Sequence, residues 1–112
     1  MYENYVEDSE KCILVAEEQQ EIFGYLYGYK KEKDATTLLF EARLDALYVR
    51  EEYRHQGVAN ALLVSFKTWV KEQNLKSIEV CVWNENTMAR ELYCKHQFVS
   101  KMEILKYKMN DE

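Results

Sequence analysis

A chain of 112 residues, 47% of them apolar, is sized for one domain, because at this length roughly two-thirds of the unfolded surface is buried and little remains for a second core. Its net charge of −5 argues against nucleic acid as a partner, since a phosphate backbone needs a basic face, and favours a cationic one. The longest uncharged apolar-rich run, residues 57–66, falls far short of the ~20 residues a bilayer span requires, and the acidic start (Glu3, Glu7, Asp8, Glu10) is unlike a secretory signal, so no membrane partner and a cytoplasmic location are expected.

Residues 12–16 form a short apolar run suited to a strand, and 21–29, rich in Phe, Tyr and Leu, form a second. Glu17-Glu18-Gln19-Gln20 between them suits a turn, which predicts a hairpin. Residues 30–37 are polar and read as a loop. Residues 38–49 alternate imperfectly and read as a long strand with Asp45 inside it. Val58, Leu62, Phe66 and Trp69 or Val70 recur at helical spacing, which predicts a helix over 57–73, with Lys67, Lys71 and Glu72 on its wet side and Asn74 as a stop.

Residues 78–83 are nearly all apolar, as in a strand covered on both faces, and the helical connection to the preceding strand implies a right-handed parallel crossover. Asn84 or Asn86 caps a second helix that buries Met88, Ala89, Leu92 and Tyr93, and His96 near its end suits the helix dipole. Residues 98–109, with Met102, Ile104, Tyr107 and Met109, read as a closing strand. This order of elements gives a three-layer α/β (α+β) architecture over residues 1–112. Cys12, Cys81 and Cys94 are odd in number and lack metal-like spacing, so they read as free, buried thiols, and no metal is expected.

The stretch from Leu47 through Arg54-His55-Gln56-Gly57-Val58-Ala59 to Leu63 holds the main functional signal. It leads from a strand through a charged turn into the first turn of a helix, where backbone N–H groups lack intrahelical partners and the dipole places about half a positive charge. Such a turn holds phosphates. Gly57 lets the backbone approach a ligand closely, Ala59 keeps the next turn narrow, and Arg54 adds a permanent cation. A glycine-rich G-x-G-x-x-G turn after the first strand is absent, against a generic nucleotide-binding domain.

This turn, followed in order by Ser77 to Trp83 and then by Asn86, Ala89, Tyr93 and Phe98, resembles the acetyl-CoA site of the GNAT superfamily of N-acetyltransferases over roughly residues 45–98. The resemblance implies a mixed sheet of about five to six strands with two main helices, and splayed parallel central strands that admit pantetheine. Leu47, Tyr48 and Val49 would then meet the pantetheine arm, with Asn86 as a further hydrogen-bond partner. Arg54 and the N–H groups of His55, Gln56, Gly57, Val58, Ala59 and Asn60 would hold the pyrophosphate.

Tyr93 matches the tyrosine that protonates the leaving thiolate, although helical spacing alone favours a core tyrosine. Asp45 lies where an acidic residue takes the amine's proton, with Glu41 as its nearest rival; otherwise Asp45 is half of a salt bridge, with Arg43 or a loop lysine. The implied activity is transfer of acetyl from acetyl-CoA to a primary amine, either a small cationic amine or a protein amine. The alternative is an acyl-CoA-binding sensor or interaction domain without catalysis. Two departures stand out. Gln97 occupies a position where the family favours glycine for a left-handed cap, and the opening strand and helices of the family are not matched, which implies a fragment of a longer protein, a wall supplied by a partner subunit or an open acceptor site; the strand edge this would leave bare also suggests a homodimer.

Overall fold

The computed structural model describes residues 2–4, 10–31 and 40–110, and the chain divides into two compact units, Met1–Cys81 and Val82–Glu112. The first unit carries β1 (Tyr2–Asn4), β2 (Lys11–Glu18), β3 (Glu21–Lys30), β4 (Glu41–Val49), a single 3-10 turn (Glu51–Tyr53), α1 (Val58–Glu72) and β5 (Ser77–Val80). The strands form one sheet in the order β1-β2-β3-β4-β5. The first three pairings are antiparallel, and β4–β5 is parallel across the α1 connection. The β2–β3 hairpin closes through Gln19 and Gln20, both left-handed at φ 51° and 68°, the backbone sense that matches strand twist in a two-residue loop.

Helix α1 lies on β2, β3 and β4 and buries Val58, Leu62, Leu63, Phe66, Trp69 and Val70, a stripe of the predicted period. Cys12, Leu26 and Leu44 from the strands and Leu62, Leu63 and Phe66 from α1 are the largest fully buried side chains. Gly28 makes this approach possible, since a Cβ there would stand 2.4 Å from the Phe66 ring. Gly24 does the same at the helix start, where a Cβ would lie 3.3 Å from Val58 Cγ1 and 3.1 Å from the Tyr48 carbonyl oxygen. Asn74, at φ 61°, ends the helix, and the Leu75 N–H donates back to the Val70 carbonyl at 3.1 Å.

In the second unit Asn86 caps α2 (Thr87–Lys95), its Oδ1 accepting from the Ala89 N–H at 3.1 Å. The helix ends with Gln97 at φ 69° and the Phe98 N–H donating to the Tyr93 carbonyl at 2.9 Å. The Tyr93 and Phe98 rings sit 5.3 Å apart, the hydrophobic contact that accompanies such a cap. Gln97 thus adopts the left-handed conformation that glycine would take at less cost.

Several expectations are corrected. The strand read from 77–83 ends at Val80, half-buried rather than covered on both faces, and Trp83 is exposed, as is Met88 on α2. The long strand begins at Glu41; Leu38, Leu39 and the 32–37 part of the loop lie outside the described residues. The closing strand over 98–109 is not formed: alternation records which face a strand would bury but does not supply the neighbour that a strand needs. The parallel pair lies at one end of the sheet among the described residues, not at its centre. The edge of β2 carries β1 along Leu14–Ala16, so it is not bare there. Cys81 and Cys94 are exposed, and only Cys12 is buried.

Candidate functional site

The site begins with one surplus residue in β4. Gly28 pairs with Leu44 and Tyr27 with Ala46, so Asp45 has no opposite number and forms a β-bulge. A bulge bends its strand and sharpens the local twist, and here the parallel ladder ends beside it. Pairing between β4 and β5 reaches Leu44 and Val80 and stops, while β4 continues to Val49. The β5-facing edge of residues 45–49 therefore carries no strand among the described residues. Unpaired strand edges accept an added extended segment.

The bulge also explains the imperfect alternation. Gly24 and Gly28 point toward α1, so Tyr25, Tyr27 and Tyr29 point away. Their partners Tyr48, Ala46 and Arg43 share that outer face, because cross-strand partners lie on one side of a sheet. The Tyr25 and Tyr48 rings meet there, 5.8 Å apart. Val49 is buried on the opposite side.

The turn after β4 is tied down at its root. The Arg50 N–H donates to the Phe23 carbonyl at 2.8 Å, and the Tyr53 ring stacks on Phe23 with centroids 4.3 Å apart. Arg50 is neutralised by Glu21 and Glu52, each at 2.7 Å. The Glu52 carboxyl is held below its usual range by its own backbone N–H and by Arg50. Arg54 is different. Its Nε donates to the Val49 carbonyl at 2.8 Å and its guanidinium lies 5.8 Å from the centre of the Tyr48 ring, yet it makes no ion pair among the described residues. One acceptor that would meet pantetheine, the Val49 carbonyl, is thus already engaged by Arg54.

His55 (φ 64°) and Gly57 (φ 84°) bend the backbone through two left-handed positions into α1, with the exposed Gln56 between them. The Gln56 side chain donates back to the Glu52 carbonyl at 3.2 Å. No side chain caps α1, and its first turn holds no carboxylate. The backbone at Val58, Ala59 and Asn60 forms the positive end of a 15-residue helix. A Cβ on Gly57 would meet nothing within 4 Å, so glycine is present for its conformation, and the space beside it is open. An uncapped helix start of this kind attracts anions.

The two candidate bases differ. Glu41 accepts from Ser77 Oγ at 2.9 Å and lies 3.7 Å from Lys31 Nζ. Glu79 bridges Lys31 at 3.2 Å and Arg43 at 3.0 Å. The bond to Glu79 is the largest of the influences that push the Lys31 ammonium upward. Arg43 also donates to Cys81 Sγ at 2.9 Å. The salt bridge expected between Asp45 and Arg43 is not formed, because Arg43 is committed to Glu79. Asp45 stands exposed with no ion pair among the described residues.

Asn86 and Tyr93 belong to the second unit. Asn86 serves as the cap described above, and the Tyr93 phenol is buried, which pushes its pKa upward and keeps its proton in place. Sequence reasoning missed Arg50 and the Phe23–Tyr53 stack that root the turn. The available signal was Tyr53, an aromatic residue inside an otherwise charged turn.

The acetyltransferase (GNAT) family model matches residues 1–98. An N-alpha-acetyltransferase of Sulfurisphaera tokodaii is 29% identical over 100 residues, covering 84% of this chain and 60% of that protein, so the chain spans less than two-thirds of its relative's length. Among solved structures, a tetramutant of the BH1408 protein from Bacillus halodurans superposes with a TM-score of 0.81 at 18% identity over 93% of this chain and 69% of that one. An aminoglycoside acetyltransferase, HMB0005, from an uncultured soil metagenomic sample gives 0.76 at 25% identity over 95% and 69%. AAC(6')-Iy, in complex with the bisubstrate analog CoA-S-monomethyl-acetylneamine, gives 0.76 at 14% over 91% and 71%.

Proposed function

The chain belongs to the acetyltransferase (GNAT) family, and from that premise we propose that it transfers an acetyl group from acetyl-CoA to a primary amine, carried either by a small cationic molecule or by a protein. The observation that carries this reading is the turn into α1, an uncapped, carboxylate-free helix start behind a left-handed glycine with open space beside it. The similarity to an N-alpha-acetyltransferase and to an aminoglycoside acetyltransferase supports an amine as acceptor. The CoA-containing bisubstrate analog in a neighbour of the same fold supports the donor. The proposal assigns both units to one acetyltransferase domain.

Bound acetyl-CoA supplies a thioester carbonyl and a thiolate leaving group. The N–H groups from His55 to Asn60 and the unneutralised Arg54 hold the pyrophosphate, and the open edge of residues 45–49 presents backbone groups to the pantetheine amides. Asp45 takes the proton of the amine as the C–N bond forms. Tyr93 gives its proton to the sulfur as the C–S bond breaks, and an acid–base step of this kind contributes roughly 10² to 10⁴ in rate.

Calorimetric titration of the full chain should show micromolar binding of acetyl-CoA and none of NAD or ATP. Replacing Arg54→Glu should abolish that binding. Tyr93→Phe keeps the ring against Phe98 and should leave affinity intact while lowering turnover by about 10² to 10⁴. Unchanged turnover removes the acid role, and absent binding removes the whole reading. Asp45→Asn should slow turnover where Glu41→Gln does not; the reverse result transfers the base to Glu41.

A further inference from the structure

The segment that joins β4 to α1 has a single aromatic anchor. From Glu51 to Gly57 every residue is exposed except Tyr53. The Tyr53 ring lies on Phe23 with centroids 4.3 Å apart and planes 18° apart, and Phe23 is itself buried. The Arg50 guanidinium, held by Glu21 and Glu52, stands 5.8 Å from the centre of the same ring, so a cation adds to the stack. Residues 54–57 have side-chain ties of a weaker kind. Arg54 donates to the Val49 carbonyl and Gln56 to the Glu52 carbonyl, and both side chains are exposed, where water competes for each bond.

The backbone beyond Tyr53 needs an anchor. His55 carries a β-carbon and yet stands at φ 64°, a conformation that costs energy and persists only where the surrounding structure over-determines it. At the far end of the turn Val58 is buried, in the space that Gly24 leaves open. At the near end the Tyr53 ring is the corresponding fixture. We propose that Tyr53 is a positioning residue for the donor: by stacking on Phe23 it holds Arg54 to Gly57 in the one shape that receives the pyrophosphate. This rests on the functional reading above and adds to it a residue that acts through the turn.

The test uses the full chain. Tyr53 is half-buried, so Tyr53→Ala should keep the circular dichroism of the parent. It should raise the dissociation constant of acetyl-CoA by about 10-fold or more, because a turn competent one time in ten binds one-tenth as tightly. Turnover at saturating donor should stay unchanged, since binding restores the same turn. The stack uses the ring and not the hydroxyl, so Tyr53→Phe should match the parent in both. In the ligand-free chain, the one-bond Cα–Hα coupling of His55, which senses the sign of φ, should move toward an averaged value in Tyr53→Ala and stay put in Tyr53→Phe. A ring that only stabilises the fold would lower the urea midpoint and leave the dissociation constant and the coupling as they are; that result, or a fall in turnover at unchanged affinity, overturns the proposal. A parent that binds no acetyl-CoA ends the functional reading and the donor role of Tyr53 with it, while the coupling, read without ligand, separately decides whether the ring holds the turn.

Discussion

Burial sorts the three thiols into two classes. Cys12 is fully enclosed and its pKa is pushed up to about 12 by burial, while Cys81 and Cys94 face solvent. Thiolate, not thiol, reacts with alkylating reagents. Iodoacetamide at pH 8 should therefore label Cys81 and Cys94 and spare Cys12 until the chain unfolds, as peptide mass spectrometry will read. The same burial sets an alkaline limit. The unfolded chain releases this proton near the ordinary value of 9.0 and the folded chain holds it to about 12, so above pH 9 the unfolded state binds fewer protons and stability falls with rising pH. Urea midpoints should decline progressively between about pH 9 and pH 12, and more gently in Cys12→Ala.

At the scale of elements, the contact most sensitive to volume is Phe66 over Gly28. A methyl group at 2.4 Å from an aromatic ring forces ring or strand to move, and overpacking of this kind costs about 1–3 kcal/mol. Gly28→Ala should lower the urea midpoint accordingly, with partial recovery when Phe66→Leu is added. Equal stability of Gly28→Ala and the parent would show that α1 is not seated by this contact. The elements also differ in how far they could be read in advance. Helix α1 was legible because Val58, Leu62, Phe66, Trp69 and Val70 repeat within one segment and answer to one sheet face. The Arg54–Gly57 turn was legible for a similar reason, since helix polarity and a glycine's left-handed backbone are local properties. β4 was harder, because the bulge at Asp45 breaks the period-two signal without any residue that announces it. The Arg50–Glu21 pair and the Phe23–Tyr53 stack join positions about 30 apart in sequence, and the chain order holds no trace of such meetings. The alternation over 98–109 is a strand pattern without a strand, because alternation does not supply the neighbour that a strand needs.

At the scale of the molecule, no helix of the described residues is long and apolar enough to cross a membrane, and the two compact units differ in construction. The first has a sheet, a helix and nearly the whole buried core; the second has one short helix and, among the described residues, Tyr93 as its one buried side chain. Opening free energies follow buried apolar contact. Amide hydrogen exchange should find Leu26, Leu44 and Phe66 among the slowest positions and residues 99–110 among the fastest. Exchange of 99–110 as slow as that of Leu26 would contradict this ordering.

The surplus residue of β4 makes tolerance to deletion and competence for catalysis pull against each other at a single codon. Loss of Tyr48 would turn Leu47 or Val49 from the helix-facing side of the sheet to the outer one, because side-chain facing follows parity. Loss of Asp45 leaves every inward side chain inward and restores one-to-one pairing with β3. The shortening that the fold accommodates best is therefore the one that straightens the strand where the donor is proposed to lie, so a length variant lacking this position should be well folded and inactive.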